Sequence, residues 1–200
     1  MPKKTPQNDG LAPRRAALNA INAIKSGDLQ FGDAITRYTA KLSDKDRALS
    51  RHLVLVTLKR EGQLKSLIRK CLERPVPKSA RAGLDILILG VAQIFFAQVP
   101  AHAAVSTTVA LIGSDRRPAV RALKALSNAV LRRLAGDEGQ AWLAEQDVEQ
   151  LCTPKWAWDS WVKNYGEEKT RAIIRANFET APLDISPKNK AVSYTHLRAH

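Results

Sequence analysis

Arg117, Arg121, Lys124, Asn128 and Arg132 are the residues of this sequence best suited to chemistry with a polyanion. Laid out at about 100° per residue, the span 117–134 places them on one face of a single predicted helix. Val120, Leu123, Ser127, Val130 and Leu134 fall together on another face. The first group is a cationic stripe with one amide in it. Such a stripe can track phosphates, because each Lys or Arg displaces condensed counterions. Helix charges usually just face water, but the span 117–134 carries no acidic residue to neutralise these. Arg116-Arg117 and Arg132-Arg133 extend the basic character at both ends. The pattern therefore points to nucleic-acid contact.

Arg14 and Arg15 form a second candidate, at the start of a predicted helix and behind a polar arm with Lys3 and Lys4. Cations at a helix N-terminus oppose the macrodipole, so their presence there favours a functional reason. His102 near another helix start has no Ser or Asp partner in the sequence and reads as a hydrogen-bonded structural residue. Trp156, Trp158, Trp161 and Tyr165 crowd one short helix with Lys155 and Lys163 nearby. Aromatics interleaved with lysines can stack bases, but several such rings more often pack against a partner surface. Cys71 and Cys152 lie in no Cys-x-x-Cys or Cys/His cluster, so no metal site and no nucleophile is expected at either. His196 and His200 have helical ligand spacing, but no acid or third ligand accompanies them.

The elements that must position these residues are all helical. Pro13 opens a predicted helix through Leu18, Ile21 and Ile24, and Gly27 stands where a C-terminal cap belongs. Phe31, Ile35 and Tyr38 suggest a short second helix. Ser43 caps a third, with Asp46 three positions on, and carries Leu49, Leu53 and Val56 on one side. Gly62 is expected to break it before Leu64, Leu67, Ile68 and Leu72. Leu84, Leu87, Ile88, Val91, Ile94 and Phe95 make a helix apolar nearly all round, which belongs at the centre of a core. Pro100 starts the next, where its missing N–H costs nothing. After the break at Gly136 and Gly139, further helices are expected at 141–151, 154–165 and 167–178. No convincing alternation of period two precedes Leu183, so the class is all-α.

With 32 Lys+Arg against 19 Asp+Glu, the formal net charge is +13, and the pI is near 10.1. That balance favours nucleic acid first and a membrane surface second. The N-terminal ten residues lack the apolar region of a secretory signal and read as a disordered basic arm. The most apolar run, 84–97, is interrupted by Asp85, Gly90 and Gln93 and is shorter than the ~20 residues of a membrane span. No membrane partner is expected. Two cysteines are too few for a disulfide framework, which fits a reducing, cytoplasmic setting.

The passage Val99-Pro100-Ala101-His102-Ala103-Ala104-Val105, followed by Leu126-Ser127-Asn128-Ala129-Val130-Leu131-Arg132-Arg133-Leu134, carries a specific resemblance. Leu42-Ser43-Asp44-Lys45-Asp46-Arg47-Ala48, Trp161 through Gly166, Ala176-Asn177 and Ala181-Pro182-Leu183-Asp184 extend it. Over roughly residues 11–190 the chain resembles the NusB-like RNA-binding domain, in the form found at the N-terminus of bacterial ribosomal RNA 5-methylcytosine methyltransferases. The resemblance implies a NusB-like helical bundle followed by a helical linker. The implied layout is an arm at 1–12, the RNA-binding domain at 13–136, a linker to a catalytic domain at 137–180, and the start of that domain at 181–192. Residues 193–200 look like a foreign tail.

It also implies RNA contact by Arg14 and Arg15, alongside the stripe candidates Arg116, Arg117, Arg121, Lys124 and Arg132, with small-subunit ribosomal RNA as the partner. Asn128 falls in the family's Asn-Ala-Val-Leu-Arg motif. The 156–165 helix would dock the catalytic domain. S-adenosylmethionine and the Pro-Cys catalytic cysteines would belong to that domain, and no catalytic residue or cofactor site is expected in this chain. Ile185-Ser186-Pro187 stands where the family often has an Arg and an Asn, which weakens any substrate role there. The rival reading is a free antitermination factor of the NusB type, which should end soon after Leu134. A protein-interaction module with incidental charge would instead bind its partner independently of salt.

Overall fold

The helix Arg81–Phe96 runs through the middle of the molecule, as its all-round apolarity requires. In this computed structural model, which describes residues 10–179, every residue from Ile86 to Gln93 is buried. In chain order the helices are α1 Leu11–Lys25, α2 Phe31–Thr39, α3 Asp44–Lys59, α4 Glu61–Cys71, α5 Arg81–Phe96 and α6 Ala101–Gly113. They continue with α7 Pro118–Arg121, α8 Lys124–Leu134, α9 Asp137–Ala144, α10 Val148–Cys152, α11 Lys155–Tyr165 and α12 Glu167–Phe178. Among the described residues there is no strand. The expected 1–12 arm, apart from its last residues, and the 181–192 and 193–200 segments lie outside the described residues.

Helices α1 to α8 form one bundle around α5. Leu64, Leu67 and Ile68 of α4 pack with Val91 of α5 and Leu131 and Leu134 of α8. On the other side of α5, Ala17 and Ile21 of α1 pack with Ile35, Leu53 and Val54. Val120 of α7 joins Ile86, Leu111 and Ile112 in a third cluster. The stretch 78–96 is long and apolar enough to cross a membrane by length and composition, but its apolar residues form this core.

Local signals explain many boundaries. Ser43 caps α3 by accepting a hydrogen bond from the Asp46 N–H at 3.2 Å. Gly27, at φ 82°, supplies the left-handed residue that turns the chain after α1. Other boundaries differ from expectation. The first helix begins at Leu11 and includes Pro13 in its first turn. The break after α3 falls at Arg60, and Gly62 lies inside α4. A Cβ at Gly62 would sit 1.7 Å from the Leu151 carbonyl oxygen, so glycine there permits close approach of α10. The expected 141–151 helix is two helices, because Asp147 caps a new start by accepting from the Gln150 N–H.

Helices α9 to α12 lie against α4, α8 and the end of α3. Gln146 donates to the Gln63 carbonyl at 3.1 Å. Arg60 is sandwiched between the Phe96 ring at 4.3 Å and the Phe178 ring at 5.1 Å. Within this extension Arg171 is the hub. It makes a bidentate pair with Asp147 at 2.9 and 2.8 Å, reaches Glu167 at 2.9 Å and lies over the Trp158 ring.

Candidate nucleic-acid interface

The cationic candidates are set by how α6 ends. At Ser114 the chain leaves α6 and turns through Asp115, Arg116 and Arg117 into α7. Asp115 is the residue that shapes this turn. Its carboxylate accepts from the Arg117 backbone N–H at 2.9 Å and from the Arg117 guanidinium at 2.9 and 2.8 Å. That guanidinium holds the Asp115 carboxyl below its ordinary range, and Asp115 in turn raises Arg117. The Arg121 guanidinium donates to the Asp115 and Arg116 carbonyls at 3.0 and 2.9 Å. Arg15 reaches across from α1 to donate to the Ser114 hydroxyl at 3.1 Å. Lys124 lies over Gly113 at the last turn of α6.

Arg15, Arg116, Arg117, Arg121 and Lys124 thus converge on the C-terminal end of one helix, where cations are favoured by the macrodipole. All five are exposed. Among the described residues, Arg15, Arg116, Arg121 and Lys124 meet no carboxylate within ion-pair distance, whereas Arg117 is paired. Arg132 sits two turns further along α8, also without an acidic partner, and donates to Asn128 at 3.3 Å. Its neighbour Arg133 is tied to Glu138 and lies over Trp142, so it joins α8 to α9.

The structure corrects the single-helix layout. The span 117–134 is two helices, α7 and α8, separated at Ala122 and Leu123. Val120 and Leu123 pack in one cluster with α5 and α6, while Val130, Leu131 and Leu134 pack in another with α4 and α5. The break lets each short helix meet its own cluster. The stripe is correspondingly a patch around the 114–117 turn with Arg132 apart from it. It is also not free of acid, since Asp115 stands just outside the span and pairs with Arg117.

Arg14 is corrected too. It is only 5% exposed and points into the bundle, donating to Gln93 Oε1 at 2.5 Å and to the Gly10 carbonyl. Burial lowers its pKa. The partner explains the placement: Gln93 sits in the middle of apolar α5 and needs a polar partner there. Arg14 is therefore an interior tie between α1 and α5, and Arg15 alone faces outward. His102, read from sequence as a hydrogen-bonded structural residue, is instead exposed, with no side-chain hydrogen bond among the described residues.

The aromatic helix α11 keeps Trp158 and Trp161 partly buried, while Trp156 is 75% exposed and Tyr165 is 53% exposed. A cleft of about 420 Å³ beside Trp156 and Trp161 is closed by Leu58, Ile174 and Phe178. Burial pushes the Cys71 and Cys152 thiols up, away from the thiolate that a nucleophile needs. Among the described residues no cluster of His, Cys, Asp or Glu could hold a metal ion. No Gly-rich strand-to-helix loop is present among them either.

Residues 11–136 match the NusB family. The chain is 32% identical over 174 residues to a protein of Pseudomonas putida described as ribosomal RNA small subunit methyltransferase B, covering 86% of this chain and 39% of that protein. The protein of that description from Pseudomonas syringae is 33% identical over 175 residues, and that from Escherichia coli 29% over 172. The chain spans about two fifths of the length of these curated relatives. With α1 to α8 built as one helical bundle and more than half its length matched, the chain belongs to the NusB family.

Proposed function

We propose that this chain is the RNA-binding and substrate-positioning part of an S-adenosylmethionine-dependent ribosomal RNA 5-methylcytosine methyltransferase. One observation favours this over a free NusB-type antitermination factor. The similarity to the methyltransferases covers 86% of the chain, too much to fit within the 11–136 match, so it runs into the α9–α12 extension. In this reading Arg15, Arg116, Arg117, Arg121 and Lys124 lie along the phosphates of small-subunit ribosomal RNA in the cytoplasm, and Arg132 also contacts that RNA. The extension links the RNA-binding domain of residues 13–136 to a catalytic domain. The α11 helix, where Trp156 and Tyr165 are exposed on opposite sides, is the element that docks that domain. In this reading methyl transfer, its cofactor and its cysteines belong to the catalytic domain.

The test is RNA affinity measured across a salt series for the wild-type chain, Arg121→Ala and Lys124→Ala. Each lost phosphate contact lowers the log–log salt slope by about one unit and weakens binding across many sequences. Wild-type slope and affinity in both variants would remove the α7–α8 patch from the RNA surface and leave Arg15 as the next candidate.

A further inference from the structure

Beside the cationic patch, α6 and α8 run antiparallel and leave a groove of about 560 Å³. Its floor is apolar, with Val105 and Val109 of α6. His102 and Ser106 of α6 and Asn128 and Arg132 of α8 stand along it. Among the described residues no carboxylate lines it. An apolar slot of this size with a few convergent polar groups suits one planar, polar ligand. Along α8 and just beyond it the groove runs from Asn128 to Gly136, and Lys124, which lies over Gly113, stands one turn before Asn128, about 6 Å along the helix axis.

The hydrogen-bonding character of the groove follows from its own contacts. Arg132 can only donate, so the Asn128 oxygen faces its Nε at 3.3 Å. That leaves Asn128 Nδ2 with donors to offer. Among the described residues the remaining guanidinium N–H groups of Arg132 meet no acceptor. Ser106 spends its hydroxyl proton on the Ala103 carbonyl at 3.2 Å. The α8 side of the groove is therefore donor-rich, two side chains wide, and positively charged.

We propose that this groove receives one unpaired guanine base of the bound RNA, with N7 and O6 facing Arg132 and Asn128. The proposal rests on the RNA-binding reading above. Guanine presents two adjacent acceptors on that edge, whereas adenine presents an acceptor and a donor. Single-stranded RNA is recognised by such splayed bases, and the cations from Arg116 to Lys124 lie where the flanking phosphates would run. The patch then supplies affinity and the groove supplies base preference, a division common to nucleic-acid interfaces.

The experiment measures binding of the full chain to short oligouridine RNAs carrying one central guanosine, inosine, 7-deazaguanosine or adenosine. Guanosine and inosine should bind about tenfold more tightly than adenosine, and 7-deazaguanosine, which lacks the N7 acceptor, should fall between. Asn128→Ala removes the amide donors, and Ser106→Leu fills the groove from an exposed position. Both should erase the preference while leaving the salt slope in place. Equal affinity for guanosine and adenosine with the salt slope retained would overturn the groove and leave the RNA-binding reading standing. A preference that survives Ser106→Leu would also overturn it, by placing base selection elsewhere. Salt-independent binding, or none, to every RNA would overturn the RNA-binding reading and this proposal together. The base series on the unaltered chain decides the matter even if a variant fails to fold.

Discussion

The bundle of α1 to α8 and the extension of α9 to α12 are held by different forces. The largest fully buried side chains, among them Leu53, Leu67, Leu89, Ile112 and Leu131, all belong to the bundle. In the extension Ala157 and Ile174 are the buried hydrophobic residues, and the organising group is a cation, Arg171. Burial of apolar area is non-directional and is not weakened by charge screening. Ion pairs between exposed or half-exposed groups are directional, individually weak and screened by salt. The bundle thus holds the main apolar core, while the extension, beyond Trp142 and Leu143 packed on that core, is oriented by charges and stacking. Such a construction is compatible with the proposed docking of the α11 surface around exposed Trp156 on another domain.

The sharpest way to break this comparison is in the bundle. Leu131 has no exposed surface and packs where α4, α5 and α8 meet. Leu131→Ala should cost about 2–5 kcal/mol, the transfer loss plus the cavity left behind. The measurement is chemical denaturation at low and high salt, and the loss should be the same at both. A loss below about 1 kcal/mol would show that the interior is not the dominant store of stability.

Arg171→Ala should act on the extension instead. It removes the partner of Asp147 and Glu167 and the cation over Trp158. Tryptophan fluorescence should shift and protease cleavage near 145–154 should accelerate, while the denaturation midpoint of the bundle stays put. Acid should mimic the substitution. Hydrogen bonds from Arg171 hold the Asp147 carboxyl below its ordinary value. The stability this gives is fully present above the unfolded value, about pH 3.9, and is lost as pH falls through the lower folded value. The fluorescence change should therefore appear below about pH 4 in the wild type. A joint loss of bundle and extension in one transition would dissolve the distinction between them.

Helix class and the core were legible because their signals are local. Leu18, Ile21 and Ile24 repeat at helical spacing, Ser43 and Asp46 form a cap, and the apolar run 84–95 has no exposed face to offer. What escaped the sequence depends on partners far along the chain. Gln93 is 79 residues from Arg14, and only the oddity of an amide within an apolar helix hinted at a buried partner. The split of 117–134 has no Gly or internal Pro to announce it after Pro118. Packing of Val120 and Val130 into separate clusters overrides local propensity there. Asn128 was visible as an amide within a stripe, but the groove beside it exists only because α6 lies antiparallel to α8.

The smallest expected effect concerns Asp115, the acid just ahead of the cationic span. Its carboxylate occupies Arg117 through two guanidinium contacts and also accepts the Arg117 backbone N–H. Of these roles, Asp115→Asn removes the charge but keeps an oxygen for the backbone N–H, so the 114–117 turn should survive. Arg121 anchors on carbonyls of that turn and should stay in place. Arg117 loses its ion pair and becomes free to meet a phosphate. RNA affinity should then rise about two- to threefold at low salt, and the salt slope should steepen by up to about one unit. The effect is small because Arg117 is already more than half exposed, so the pair is worth little in water. Guanosine preference should not change, since Asp115 lies at the opposite end of α6 from His102. An unchanged slope would mean that Arg117 stays outside the phosphate path whether or not Asp115 holds it.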